Sequence, residues 1–99
     1  MSYFIAQITI RDTEAYQDYI DGFYDVFNEY EGEVLLVDDS PEAIEGSLKH
    51  TRIVVIRFPD ENELRSWYNS PEYQQLAKIR WKASEADIIH AKDTRAQRS

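Results

Sequence analysis

The chain has no cysteine. That removes thiol nucleophiles, thiolate metal sites and disulfides together, and it sets the reducing cytoplasm as the expected location. Glycine and proline are scarce at three each, which leaves no Gly-rich phosphate loop, dinucleotide fingerprint, nucleophile elbow or low-complexity linker. Basic residues are outnumbered, with 11 Lys and Arg against 19 Asp and Glu and a net charge of −8. Such a field repels nucleic acid and anionic membrane surfaces, and the one basic cluster, Lys92, Arg95 and Arg98, is interrupted by Asp93. His50 and His90 are the only imidazoles and neither has a second ligand at zinc-type spacing, so no metal is expected. No apolar run approaches membrane-spanning length, and Ser2 to Ile10 lacks the basic lead of a signal peptide. Neither nucleic acid nor membrane is an expected partner.

What is present is an alternation of strand and helix patterns within 99 residues, enough for one domain that buries roughly two-thirds of its unfolded surface. Tyr3 to Ile10 puts Phe4, Ala6, Ile8 and Ile10 on one strand face and Tyr3, Ile5, Gln7 and Thr9 on the other. Asp12 is an N-cap for an amphipathic helix whose stripe is unusually aromatic: Tyr16, Tyr19, Ile20, Phe23, Tyr24, Phe27 and Tyr30, with Gly32 as its stop. The stripe reads as core packing, with a ligand-stacking aromatic box as the alternative. Val34 to Val37 forms a second strand. Arg52 to Phe58 forms a third, its β-branched run ended by Pro59 and apolar enough for burial on both faces. Asp60 with Glu63 starts a helix carrying Leu64, Trp67 and Tyr68; Ser70 and Pro71 restart it at an angle, with Tyr73, Leu76, Ala77 and Arg80 on one face. Asp87 to Ala91 is the last strand, which closes a domain over residues 1–91 and leaves residues 92–99 as a frayed tail.

The order βαββαβ closes most simply as a ferredoxin-like α+β fold, a four-stranded antiparallel sheet with the helices on one face. The opposite face, carrying Ile5, Ile53 and Val55, would be an exposed apolar patch in a monomer, and a homodimer with facing sheets buries it.

These residues also carry a resemblance. Tyr3 to Ala91 resembles the family called domain of unknown function 1330, within the dimeric α+β barrel superfamily. The matching features are Asp12 with Tyr16 and Tyr19, Glu45-Gly46, Phe58-Pro59, the run Trp67-Tyr68-Asn69-Ser70-Pro71-Glu72-Tyr73-Gln74, and Arg80. The resemblance implies a homodimer with a cavity between sheet and helices. Related barrel families include cofactor-free monooxygenases, lactone isomerases and heme-binding enzymes, so the superfamily does not choose a reaction. Asp38-Asp39 stands where the family tends to be basic or Gly-containing, which argues against anion binding at that edge.

Chemistry is sought in polar residues that could converge on the cavity mouth. Glu45 and His50, five apart in one loop, are the catalytic candidates, as a carboxylate and an imidazole able to share a proton. Against that stand an exposed loop position for His50 and, for Glu45, a turn cap or an ion pair with Arg52 or Arg80. Arg52, Arg57, Trp67, Tyr68, Ser70 and Arg80 are the ligand-binding candidates. Ser70 also reads simply as a helix N-cap, and Arg80 as one half of an internal salt bridge. The reading is a homodimeric small-molecule-binding or accessory protein without cofactor; the alternative is a cofactor-independent enzyme, monooxygenase- or isomerase-like, acting on a small aromatic or lactone-like metabolite.

Overall fold

Strand alternation places the first strand at the centre of the molecule. In the computed structural model, which describes residues 1–94, β1 (Ser2–Ile10) buries Ser2, Phe4, Ala6 and Ile8 and leaves the intervening side chains half-buried. It is flanked on both sides by antiparallel partners, β3 (Arg52–Phe58) and β4 (Ser84–Lys92), while β2 (Glu33–Asp38) pairs on the outer edge of β3. The strand order β2-β3-β1-β4 is the expected ferredoxin-like sheet. Between Val34 and Leu36 the β2–β3 register shifts by a bulge.

The helices cap as their sequences require. In α1 (Thr13–Phe27) the Asp12 carboxylate accepts from the Ala15 N–H; in α2 (Glu61–Tyr68) Asp60 accepts from Glu63; in α3 (Pro71–Ala83) Ser70 accepts from Tyr73, with Pro71 in the first turn. Helix α1 ends at Phe27, capped by Asn28, and not at Gly32 as the sequence suggests. Gly32 serves close approach instead: a Cβ there would lie 2.5 Å from Phe27 Cζ and 2.7 Å from Phe58 Cε1. A second correction concerns the last strand, which starts at Ser84 and runs through Lys92, paired with Ser2. The Asp93 N–H donates to the Met1 carbonyl. The supposed tail therefore begins with ordered pairing at Lys92, and the expectation for residues 95–99 lies outside the described residues.

The core lies between sheet and helices. Trp67 and Tyr73 are fully buried at its centre, with ring centroids 4.3 Å apart, and Phe58, Phe27 and Phe4 surround Trp67. Strand parity assigns the rest. Arg52, Val54, Ile56 and Phe58 lie on the helix side, across from Ile8, Ala6, Phe4 and Ser2. The open face carries Ile5 between Val55 and Ile89, with Leu36 beyond Val55. Ile89 and Leu36 are 58% and 46% exposed in the single chain, and Ile53 and Val55 are half-buried rather than covered on both sides.

The two glycines that touch side chains separate cleanly. At Gly22 the atoms nearest an added Cβ all belong to the Leu76 side chain, Cδ1 at 2.8 Å being the closest, the far end of a flexible side chain. Gly22→Ala in mid-helix is expected to be neutral or stabilising by up to about 1 kcal/mol. Gly32→Ala must displace two aromatic rings and is expected to cost about 1–3 kcal/mol. Thermal melts of the two variants read the contrast; a Gly32→Ala protein as stable as the parent would contradict this packing.

Candidate functional site

A cavity of about 110 Å³ opens between α1 and the helix side of the sheet. Its walls are mostly apolar: Phe4 and Ile8 from β1, Ile20 and Phe23 from α1, Val54 and Ile56 from β3, and Ile88 from β4. Its polar lining consists of three tyrosines, Tyr16, Tyr19 and Tyr24, and two arginines, Arg52 and Arg80. Among the described residues, no carboxylate lines it.

Both arginines arrive there by parity. Arg52 is the first residue of β3 and shares the helix-side register with Val54 and Ile56; Arg80 lies in the last turn of α3 on the face that also buries Tyr73 and Ala77. Arg80 is only 4% exposed, and its Nε and Nη2 atoms are buried without a hydrogen-bond partner. Its guanidinium carbon stands 5.9 Å from the centroid of the Tyr19 ring, a cation–π distance. No carboxylate among the described residues pairs with it, so the internal salt bridge considered from sequence is not formed. Arg52 places its guanidinium carbon 5.8 Å from the centroid of the Tyr16 ring and pairs through Nη1 with Asp39, yet its Nε is also buried and unpartnered.

The tyrosines form the other half of the electrostatics. The Tyr19 and Tyr73 hydroxyls are 2.7 Å apart in the interior. Burial pushes the Tyr19 phenol well above its ordinary value, with Tyr73 adding to the shift. Burial also raises Tyr73, against the lowering pull of Arg80, and raises Tyr16, against Arg52 and Arg80. Burial works against the Arg80 charge, but Tyr73 and Tyr19 outweigh it and the guanidinium is held more firmly protonated. The result is a cation lodged among neutral phenols.

The remaining sequence candidates lie elsewhere. Glu45 is exposed in the β2–β3 loop, beside Gly46 at φ +77°, and makes no ion pair with Arg52, Arg80 or His50. His50 is not an exposed loop residue: it is 7% exposed, with Nδ1 2.8 Å from the Thr9 hydroxyl and Nε2 2.7 Å from Asp87. The ionised Asp87 carboxylate can only accept, so His50 donates to it from Nε2, and Nδ1 shares its hydrogen bond with the Thr9 hydroxyl. Hydrogen bonds from His50 and then Lys49 hold the Asp87 carboxyl below its usual range. This cluster ties the β2–β3 loop to β1 and β4 on the open-face side, away from the cavity. Arg57 pairs with Glu33 on the open face. Trp67 is fully buried core, Tyr68 packs against Phe4 and Tyr73, and Ser70 is occupied by its cap and by donating to the Trp67 carbonyl at 2.8 Å. Among the eight candidates the fold brings Arg52 and Arg80 to one cavity and leaves the others out. Tyr16 and Tyr19, whose stripe reads from sequence as core packing with a ligand-stacking aromatic box as the alternative, share the cavity wall with them. Among the described residues, no group of three or more His, Cys, Asp or Glu is placed to hold a metal ion, and no helix is long and apolar enough to cross a membrane.

Comparison with known proteins gives this architecture its relatives. Residues 1–93 match the family described as domain of unknown function DUF1330. The chain belongs to that family. No curated protein matches it. Among solved structures, a protein of unknown function from Rhodopseudomonas palustris is similar at 17% identity and a TM-score of 0.76, over 93% of this chain and 81% of that one. SnoaB, a cofactor-independent oxygenase from Streptomyces nogalater, is similar at 13% identity and a TM-score of 0.64, over 93% and 91% of the two chains. A dimeric ferredoxin-like protein of unknown function from Thermobifida fusca is similar at 12% identity and a TM-score of 0.63, over 93% and 90%. At these identities the likeness of this DUF1330 member to the solved structures is one of fold.

The raised phenols make a pH signature for the site. A group whose folded pKa lies above its unfolded value contributes stability that is complete below the unfolded value and lost as pH rises through the folded one. Stability is therefore expected to hold up to pH about 10 and to fall above it, as unfolding releases Tyr16, Tyr19 and Tyr73 to ionise. Melting temperature followed from pH 8 to 11.5 checks this, and Tyr19→Phe is expected to flatten the alkaline loss. A variant that loses stability as steeply as the parent would contradict the assignment.

Proposed function

We propose that the protein is a homodimeric small-molecule-binding protein whose cavity between α1 and the sheet takes a compact, apolar-bodied carboxylate. The observation that carries this reading is the unpartnered edge of Arg80. Nε and Nη2 are the side of a guanidinium whose two parallel N–H groups receive a carboxylate bidentately, and here that side is buried with no hydrogen bond of good geometry and only the neutral Tyr73 phenol beside it, not a carboxylate. A buried charge without a partner is costly, and a ligand carboxylate would relieve that cost. The apolar walls would take the ligand body. A cavity of about 110 Å³ is somewhat smaller than the engineered cavity of roughly 150 Å³ that accepts benzene, so the ligand is fragment-sized. The cysteine-free, strongly acidic composition supports a cytoplasmic location without nucleic-acid or membrane partners.

The dimer rests on the open face. Ile5, Val55, Ile89 and Leu36 line up across all four strands, a contiguous apolar patch of the kind soluble proteins cover, and a structural relative is described as dimeric. A second reading, a cofactor-independent enzyme, is favoured by one feature: the hydrogen-bonded Tyr19–Tyr73 hydroxyls and Arg80 could supply a proton and anion stabilisation beside a bound acid. Glu45 and His50 are then not its proton carriers, because neither reaches the cavity.

Two experiments test the proposal. Arg80→Met keeps much of the stem volume. By calorimetric titration with valerate or benzoate, it is expected to lower affinity by about 1.5–3 kcal/mol, the size of a charge-assisted hydrogen bond, while the melting temperature holds or rises because no carboxylate is stranded. Unchanged binding, or a destabilised fold with no binding in the parent, would overturn the site. Val55→Asp puts a charge in the centre of the open face and is expected to convert a micromolar dimer to monomer in sedimentation. A parent chain that sediments as a monomer throughout that range would overturn the dimer.

A further inference from the structure

We infer that the cavity is built for a ligand with carboxylates at both ends, a short α,ω-dicarboxylate with an apolar middle. This rests on the proposed carboxylate site at Arg80 and extends it to the second arginine. One carboxylate uses up the Nε and Nη2 edge of Arg80. It leaves the Nε–H of Arg52, also buried and without a hydrogen bond of good geometry, with only the neutral Tyr16 phenol beside it. Both arginines line the same cavity together with Tyr16, and Arg52 lies against the Tyr16 ring.

Their environments differ in a way that orients the ligand. Arg80 is interior. The Arg52 side chain is 15% exposed and reaches the surface, where its Nη1 is paired with an Asp39 side chain that is 70% exposed. An exposed carboxylate on a partly buried guanidinium is readily replaced, since surface ion pairs are worth little. The chain thus supplies Arg52 with a weak internal acceptor at the rim, which the outer carboxylate of a ligand would displace or share. Most of the lining is apolar, with Ile8, Ile20, Phe23, Val54 and Ile88 among it, which suits methylenes. Asp39, which from sequence argues against anion binding at this edge, becomes the group that holds Arg52 when no ligand is bound.

The test compares valerate with glutarate, acids of equal chain length that differ in the second carboxylate, and adds succinate and adipate to span the separation of the arginines. The best dicarboxylate is expected to bind the full chain about tenfold or more tightly than valerate, the effect of one added charge-assisted hydrogen bond. Arg52→Met is expected to abolish that preference, so that the best dicarboxylate and valerate bind the variant alike, and Asp39→Asn to widen it. If Arg52→Met does not fold, Asp39→Asn, which keeps Arg52, decides: an unwidened ratio of dicarboxylate to valerate affinity overturns the proposal. So does a series in which no dicarboxylate exceeds valerate, or an Arg52→Met variant that loses both ligands equally, since both arginines would then hold one carboxylate. These failures leave valerate binding dependent on Arg80. Absence of any Arg80-dependent binding would instead remove the site itself.

Discussion

Successive side chains of a strand point to opposite sides of the sheet, and in this chain that alternation decides both what is enclosed and what is left open. Because Phe4, Ala6 and Ile8 share one parity, β1 must turn that side to the helices. The same parity in β3 then carries Arg52 inward with Val54 and Ile56, and sends Ile53, Val55 and Arg57 outward. A slip of one residue would exchange the two sets, placing Arg57 in the core and exposing Phe58. The cavity, its cations and the apolar outer face all descend from that register.

Enclosing cations in this way runs against the rest of the molecule. A net charge of −8 makes the surface repel anions in general, while the cavity holds two cations within mostly apolar walls, Arg52 paired with Asp39 at the rim and Arg80 with no carboxylate among the described residues. The phenols at Tyr19 and Tyr73 soften the cost of burying Arg80 by facing it with ring electrons and hydroxyl dipoles, and burial keeps those phenols neutral. They give its side edge no hydrogen bond of good geometry and no negative charge. A fold that retains such a charge where a methionine would pack more cheaply invites a functional explanation, and an exchangeable anion answers it.

Much of the fold was legible because its cues are local. Asp12, Asp60, Ser70 and Pro71 announce three helix starts, and the alternation from Tyr3 to Ile10 announces the central strand. The end of α1 was not, because Gly32 reads as a helix stop when its role is set by the rings of Phe27 and Phe58, which meet it only in three dimensions. The site was legible in part. Arg80 follows from the helical face it shares with Tyr73 and Ala77, and Arg52 could be placed inward from its parity with Val54. Glu45 and His50, neighbours in the chain, were expected to work together; the loop instead turns Glu45 to solvent and folds His50 onto Thr9 and Asp87. That parting depends on where β1 and β4 end, which no spacing within the loop encodes. Tyr16 and Tyr19 carry no cue that separates a core tyrosine from one lining a cavity.

The central claim is that the side edge of Arg80 receives a ligand carboxylate. Proton–nitrogen NMR of the arginine Nε–H groups, assigned through Arg80→Met, reads that edge directly. The Arg80 Nε–H signal is expected to move downfield and to exchange more slowly with water as valerate is added, the mark of a new charge-assisted hydrogen bond. A signal that stays in place through the titration, or one already shifted and protected in the ligand-free protein, would contradict the account.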